Sequence, residues 1–333
     1  MNLLMIFAAV ITGRITQWQH YTHFGGVNDV IVENSTVISA STGGVAFGTL
    51  EGGGVSWDST WTCPGELSIS DARCLARDGS GNLWVGTYGG GIDVELASGG
   101  FQHYGQLEGL PISMKVNCIL PDSIIWAGTT EGLCSKELGY FEVWTVFSTG
   151  GGLPSDIVNC VAACDSGLFV GTTSGLVMLR STGSPGDPSS WVSYPSLESI
   201  SIQDIIVGPD TSWAATGEGL FYMAPGGTWQ RTADYPGDQP VSLALDQGRL
   251  AVGGNGEAAV RTASGWDYDQ GLGTQVVRSI CWLDDQSLLM GQYDDFSVDR
   301  SSGSGVGIGY PGGWISSMPR EPPPTISAAW MLI

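Results

Sequence analysis

Six short turns, each closing a pair of apolar runs, carry the side chains best suited to chemistry: Tyr88, Glu131, Ser174, Glu218, Glu257, and Asp294 with Asp295. Five of these residues are carboxylates. Gathered on one surface, they would take a cation such as Ca2+, a basic peptide or a hydroxyl-rich glycan. No other cofactor is expected. Catalysis has less to stand on. The only histidines are His20, His23 and His103, and none lies in such a turn. The chain holds no Gly-x-Ser-x-Gly elbow, His-Glu-x-x-His pair, phosphate-binding loop or Cys-x-x-Cys zinc pattern, so no residue is given a catalytic or metal-ligating role. Carboxylate pairs that cleave glycosides are a three-dimensional property. A carbohydrate-active lyase or hydrolase therefore stands as the alternative to a binding module.

The elements that must position these turns repeat. Leu83–Val94 reads Leu-Trp-Val-Gly-Thr-Tyr-Gly-Gly-Gly-Ile-Asp-Val, two apolar runs joined at a glycine turn, which is the pattern of an antiparallel hairpin. The phrase returns over Ile125–Cys134 and Leu168–Met178, with weaker copies over Ser212–Tyr222 and Leu250–Val260 and end copies over Val37–Phe47 and Leu288–Val298. The small residue closing the first run falls at Ala40, Gly86, Gly128, Gly171, Ala215, Gly253 and Gly291, giving steps of 46, 42, 43, 44, 38 and 38 residues. A period of roughly 40–45 residues with strand pairs inside it predicts propeller blades. The expected fold is all-β, a single seven-bladed β-propeller of four-stranded antiparallel blades over residues 14–318. In the third unit the strands are predicted at Ser113–Leu120, Ile124–Gly128, Leu133–Glu137 and Phe141–Phe147. Aromatic residues recur in each fourth strand (Trp57 and Trp61, Phe101 and Tyr104, Trp144, Trp191, Trp229, Trp266), where rings suit stacking between neighbouring sheets. In such a blade the second-to-third turn and the link to the next blade share one face, so the acidic turns form a rim. Closure has two candidate strands, Gln17–Tyr21 with Trp18 and Gly312–Ser316 with Trp314, and the irregular Ser301–Gly309 favours the Trp18 strand.

Composition narrows the partners. With 12 Lys plus Arg against 33 Asp plus Glu, the net charge of −21 repels phosphate backbones and excludes nucleic-acid binding. The 51 glycines serve a chain built of tight turns, and 13 tryptophans supply apolar area for a monomeric core. Residues 1–13 read as a signal-like segment: Met1–Ile11 is apolar apart from Asn2 and too short to span a bilayer. No other run is long enough for an integral membrane span. Pro319–Pro324 holds four prolines, so 319–333 reads as a tail or linker. Of seven cysteines, Cys74, Cys118, Cys160 and Cys281 precede the small residues by 12, 10, 11 and 10 positions and are expected as fillers in equivalent strands. Cys63 with Cys74 is the one nearby pair open to a bridge.

The stretch Asp78-Gly-Ser-Gly-Asn-Leu-Trp84-Val-Gly-Thr87 resembles the two-component-regulator propeller repeat, D-x-x-G-x-[LI]-W-[IV]-G-T-x-x-G-L. Glu131-Gly-Leu133 and Ser174-Gly-Leu176 match its end, and Gly152-Leu-Pro-Ser155 its connector. The opening, Trp18 through Val45, is similar to the propeller start of PorZ-type proteins of type IX secretion. Asp78–Trp84 also resembles the aspartate box of sialidase-like propellers, but occurs once and without an arginine cluster for a carboxylate. The regulator resemblance implies extracytoplasmic recognition (secreted, periplasmic or cell-surface) of a protein, peptide or glycan without catalysis. Sensors of that kind usually carry two rings, a membrane span and a kinase or DNA-binding domain. None is read here, leaving a detached sensor domain as a further alternative.

Overall fold

The computed structural model describes residue 24 and residues 26–317, apart from 52–53, 138–142, 271, 273–274, 285–286, 295–304 and 311–312. Seven four-stranded antiparallel sheets follow one another along the chain. They span residues 27–61, 72–104, 116–147, 158–193, 202–231, 240–269 and 275–317, here blades 1 to 7. Within each, every strand pairs with its neighbour in sequence. The seven first strands pack side by side around the axis, and the first strand of blade 7 (Gln275–Trp282) lies against that of blade 1 (Val27–Glu33). The seven-bladed propeller predicted from the repeat is the fold.

The small residues in the sequence phrase let blades approach. All seven predicted positions lie in second strands, opposite an axial residue of the first: Asp29↔Ala40, Cys74↔Gly86, Cys118↔Gly128, Cys160↔Gly171, Asp204↔Ala215, Ser242↔Gly253 and Ser279↔Gly291. A Cβ on Gly128 would stand 2.5 Å from Cys118 Sγ and 2.7 Å from Val158 Cγ1 of the next blade. Any side chain there would wedge two sheets apart. Just before the axial residue each ladder skips one residue, a bulge repeated in every blade. The skipped Asn28, Asn117 and Asn159 each donate a side-chain N–H, at 2.8 Å, to a carbonyl of the following blade: Ala72, Val158 and Ile202.

Aromatic residues do join the sheets as their recurrence predicts. Tyr104 stacks on Trp84 and meets Trp144 of the next blade edge-on, both at 5.9 Å. Trp229 of blade 5 stands edge-on to Phe169 of blade 4 at 5.9 Å.

Three expectations are corrected. The fourth strand of blade 7 is Gly313–Ser317, paired with Val306–Tyr310, so the Trp314 strand completes the last sheet. The favoured Trp18 strand, the signal-like segment and the proline-rich tail lie outside the described residues. Among the described residues the seam between blades 7 and 1 closes on Leu289, Val306 and Ile308 against Val27, Val30 and Val37. It is also pinned by a polar bond, Ser279 Oγ donating to Asp29 Oδ1 at 2.8 Å. In blade 3 the last strand is confined to Thr145–Phe147. Cys281 lies in the first strand of blade 7, the equivalent strand as expected, two residues past the axial position that Ser279 fills. All seven cysteines are free, and Cys63 Sγ contacts Ser68 O at 3.3 Å instead of bridging to Cys74.

Candidate functional site

The turn between second and third strands is built around one buried hydroxyl. Thr129 Oγ1 donates to Gly132 O at 2.8 Å and accepts the Glu131 N–H at 3.1 Å. Thr172 does the same for Gly175 and Ser174, and Thr216 for Gly219 and Glu218. Ser41 and Thr87 repeat the staple in blades 1 and 2. The closing glycine is obligatory: Gly132 sits at φ +132°, and a Cβ there would lie 2.3 Å from Phe147 O. The Gly-Thr-x-x-Gly-Leu phrase thus encodes a small wedge, a hydroxyl staple, two outward residues, a left-handed glycine and a buried anchor such as Leu133.

The links between blades join these turns at the same rim. Backbone N–H groups at the first turn position reach link carbonyls: Tyr88 to Asp71 at 2.8 Å, Thr130 to Lys115 at 3.2 Å, Thr173 to Ile157 at 3.1 Å and Gly217 to Ser201 at 2.9 Å. Tyr88 therefore aligns with Thr130 and Thr173, one place before Glu131 and Ser174. Its ring carries two cations, Arg73 Cζ at 4.4 Å and Lys115 Nζ at 4.5 Å from the centroid.

Tyr88, Glu131, Ser174 and Glu218 are exposed on consecutive blades 2 to 5. Glu131 Oε2 accepts the Ser113 N–H of the adjoining link at 3.4 Å. Ser174 borders a cleft of about 290 Å³ that also takes in Leu153, Pro154, Tyr194, Pro195 and Glu198. Glu257 lies at the equivalent edge of blade 6 but turns inward. It is 7% exposed, and its carboxylate accepts Tyr268 Oη at 2.6 Å and Tyr235 Oη at 3.3 Å. Burial, then the adjacent Glu257, pushes both phenols above their usual range. Glu257 organises its own turn. Asp294 ends the second strand of blade 7, and Asp295 lies outside the described residues. The candidate rim is thus four exposed positions and one inward carboxylate. Among the described residues no group of three or more His, Cys, Asp or Glu side chains is arranged to hold a metal ion.

Apolar exposure on this rim escaped the sequence reading. The eight exposed large apolar side chains among the described residues all fall between positions 69 and 157. Ile69, Ile112 and Ile157 sit in three successive links, and Leu107 and Ile112 are 95% and 76% exposed. An isoleucine placed where a loop ought to be polar is the signal that marks them.

The aspartate-box stretch lies in the first-to-second turn of blade 2, at the opposite edge. Burial acts to raise Asp78, but the Trp84 indole, the Asn82 side chain and two backbone N–H groups outweigh it and hold the carboxyl below its usual value. Asp78 ties a turn together. His103 Nδ1 pairs with Asp93 Oδ1 at 2.9 Å on the outer strands of the same blade.

Residues 66–89 match the family model described as two component regulator propeller. No curated protein matches the chain. Among solved structures, the extracellular domain of a putative hybrid two component system from B. thetaiotaomicron superposes with a TM-score of 0.66 at 18% identity, covering 84% of this chain and 40% of that one. A second such domain from the same organism gives 0.67 at 14% identity, covering 89% and 42%. PorZ, a surface component of the type-IX secretion system of Porphyromonas gingivalis, gives 0.65 at 12% identity, covering 90% and 39%. The chain spans about two fifths of the length of these structures. At these identities the likeness is one of fold, and the family-model match covers one unit of it, in blade 2.

Proposed function

We propose that this chain is a non-enzymatic, extracytoplasmic recognition module that docks a polypeptide partner on the rim of blades 2 to 4. The observation that carries this reading is the exposure of Ile69, Leu107, Ile112 and Ile157 in the three successive links on the rim of blades 2 to 4. A patch of this kind on an otherwise polar surface is the usual mark of a protein interface. A net charge of −21 opposes self-association and selects a partner bearing cationic as well as aliphatic groups, with Glu108 and Glu131 beside the apolar residues. The relatives' description as extracellular domains and as a surface component supports the location. Among the described residues no helix is long and apolar enough to cross a membrane.

Cross-linking in intact cells followed by mass spectrometry tests the proposal. A partner recovered by the wild-type chain is lost with Leu107→Asp plus Ile112→Asp. Undiminished recovery by the double variant refutes docking at this rim. A sensory role is the second reading, favoured by the likeness to extracellular domains of two component systems. A kinase encoded in the same or a neighbouring gene distinguishes it.

A further inference from the structure

At the edge opposite the rim, a cleft of about 540 Å³ opens between blades 4 and 5. Cys164 ends the first strand of blade 4 there, and its Sγ lies 3.9 Å from Met178 Sδ in the third strand. Tyr194 Oη contacts the same Sδ at 3.6 Å. Met223, at the end of a blade 5 strand, lines the cleft from the other side. All four side chains are partly buried and partly open to the cleft. Asp165 is the one carboxylate among the lining residues.

We propose that this cleft is a soft-metal site in which Cys164 Sγ and Met178 Sδ ligate one monovalent ion of the copper(I) or silver(I) class, with Met223 supplying a third sulfur. Thiolate and thioether donors select such ions over harder ones. Two sulfurs bound about 2.3 Å from one ion stand about 3.8–4.0 Å apart at tetrahedral or trigonal angles, and the observed separation meets that requirement before any ion is present. On binding, the Cys164 S–H bond breaks, its proton leaves to solvent and a metal–sulfur bond forms; the ion keeps its oxidation state. The axial thiols are poorer candidates. Cys74, Cys118 and Cys160 are wedged between blades, and burial pushes all three up, Cys118 to about 12, so each holds its proton.

The test is an anaerobic titration of the full chain with copper(I) against a chromophoric chelator, together with sulfur counting by X-ray absorption. The expected result is one tightly held ion bound by two or three sulfurs. Met178→Leu leaves every thiol in place and weakens binding at least tenfold, Met223→Leu weakens it less, and Cys164→Ser removes it. Affinity and sulfur count unchanged in Met178→Leu would mean a reactive thiol acting alone and would overturn the site. So would failure of the wild-type chain to hold an ion. The methionine variants conserve volume, so they decide the question even if Cys164→Ser does not fold.

Discussion

Asp204 offers the most searching perturbation, because the other blades supply its replacement. It occupies the axial position that Ser242 and Ser279 fill in blades 6 and 7, opposite Ala215. Its carboxylate accepts the Leu243 N–H of blade 6 and the N–H of Ile205, both at 2.8 Å. Burial outweighs these bonds, with a smaller push from Asp29, and raises the group from 3.8 to about 7. The folded chain therefore keeps a proton that the unfolded chain has released between about pH 4 and pH 7. Stability from this group is fully present below pH 4 and is lost as pH rises through 7. A rise of about three pH units sets a ceiling of about 4 kcal/mol, and solvent reaching the partly buried side chain brings the expected change to about 2 kcal/mol. Asp204→Ser removes it. For a chain of this length that is a change of about 3 °C in the gap between wild-type and variant melting temperatures, read by calorimetry at pH 4.5 and pH 8. The variant should melt lower than wild type at pH 4.5 and close that gap, or reverse it, at pH 8. The −21 net charge also varies with pH, but nearly equally in both chains, so it cancels in the difference. Parallel wild-type and variant profiles across this range would refute the account.

Gly128→Val places a branched side chain where a Cβ alone would stand 2.5 Å from Cys118 and 2.7 Å from Val158. It should cost about 3 kcal/mol or more by denaturant titration, against negligible cost for the same change at solvent-facing Gly79. Trp229→Ala empties a ring that is 2% exposed and wedged edge-on between Phe169 and Tyr194. A loss of about 3–5 kcal/mol is expected, with faster amide exchange in blades 4 and 5 before the rest.

The architecture was legible because the repeated phrase is the turn itself. Gly128, Thr129, Gly132 and Leu133 each answer a separate demand (wedge, staple, left-handed backbone, anchor), so few residue types serve (Ala at the wedge in blades 1 and 5, Ser at the staple in blade 1) and the pattern survives in copy after copy. Closure was harder to read. Trp18 and Trp314 carry the same aromatic strand signal; a local hairpin sets Trp314 opposite Gly309 in the last sheet, and Trp18 lies outside the described residues. Spacing found the strand of Cys281 but not its depth: first-to-second turns differ in length, so a spacing of 10 residues puts Cys118 at the axis and Cys281 two places beyond it in the same strand of its blade. At the rim, the turns were found but not which side chains face outward. Glu257 stands opposite Gly254, the place that the closing glycine takes opposite Thr129 and Thr216, and the distant Tyr235 and the neighbouring strand's Tyr268 hold it inward. The exposed isoleucines hid in links, where apolar residues are commonly read as strand ends.

Each sheet is drawn from one uninterrupted stretch of chain, and the last blade meets the first through Ser279, Asp29 and a patch of valine and leucine. Among the described residues no strand is lent across the join, so within them the circle has no covalently privileged starting point. Moving the chain ends to the link between blades 4 and 5 would leave seven complete sheets and the same wedges and staples between them. What such a rearrangement changes is only where the circle first springs open under load, since the one unlinked pair of neighbours would then be blades 4 and 5.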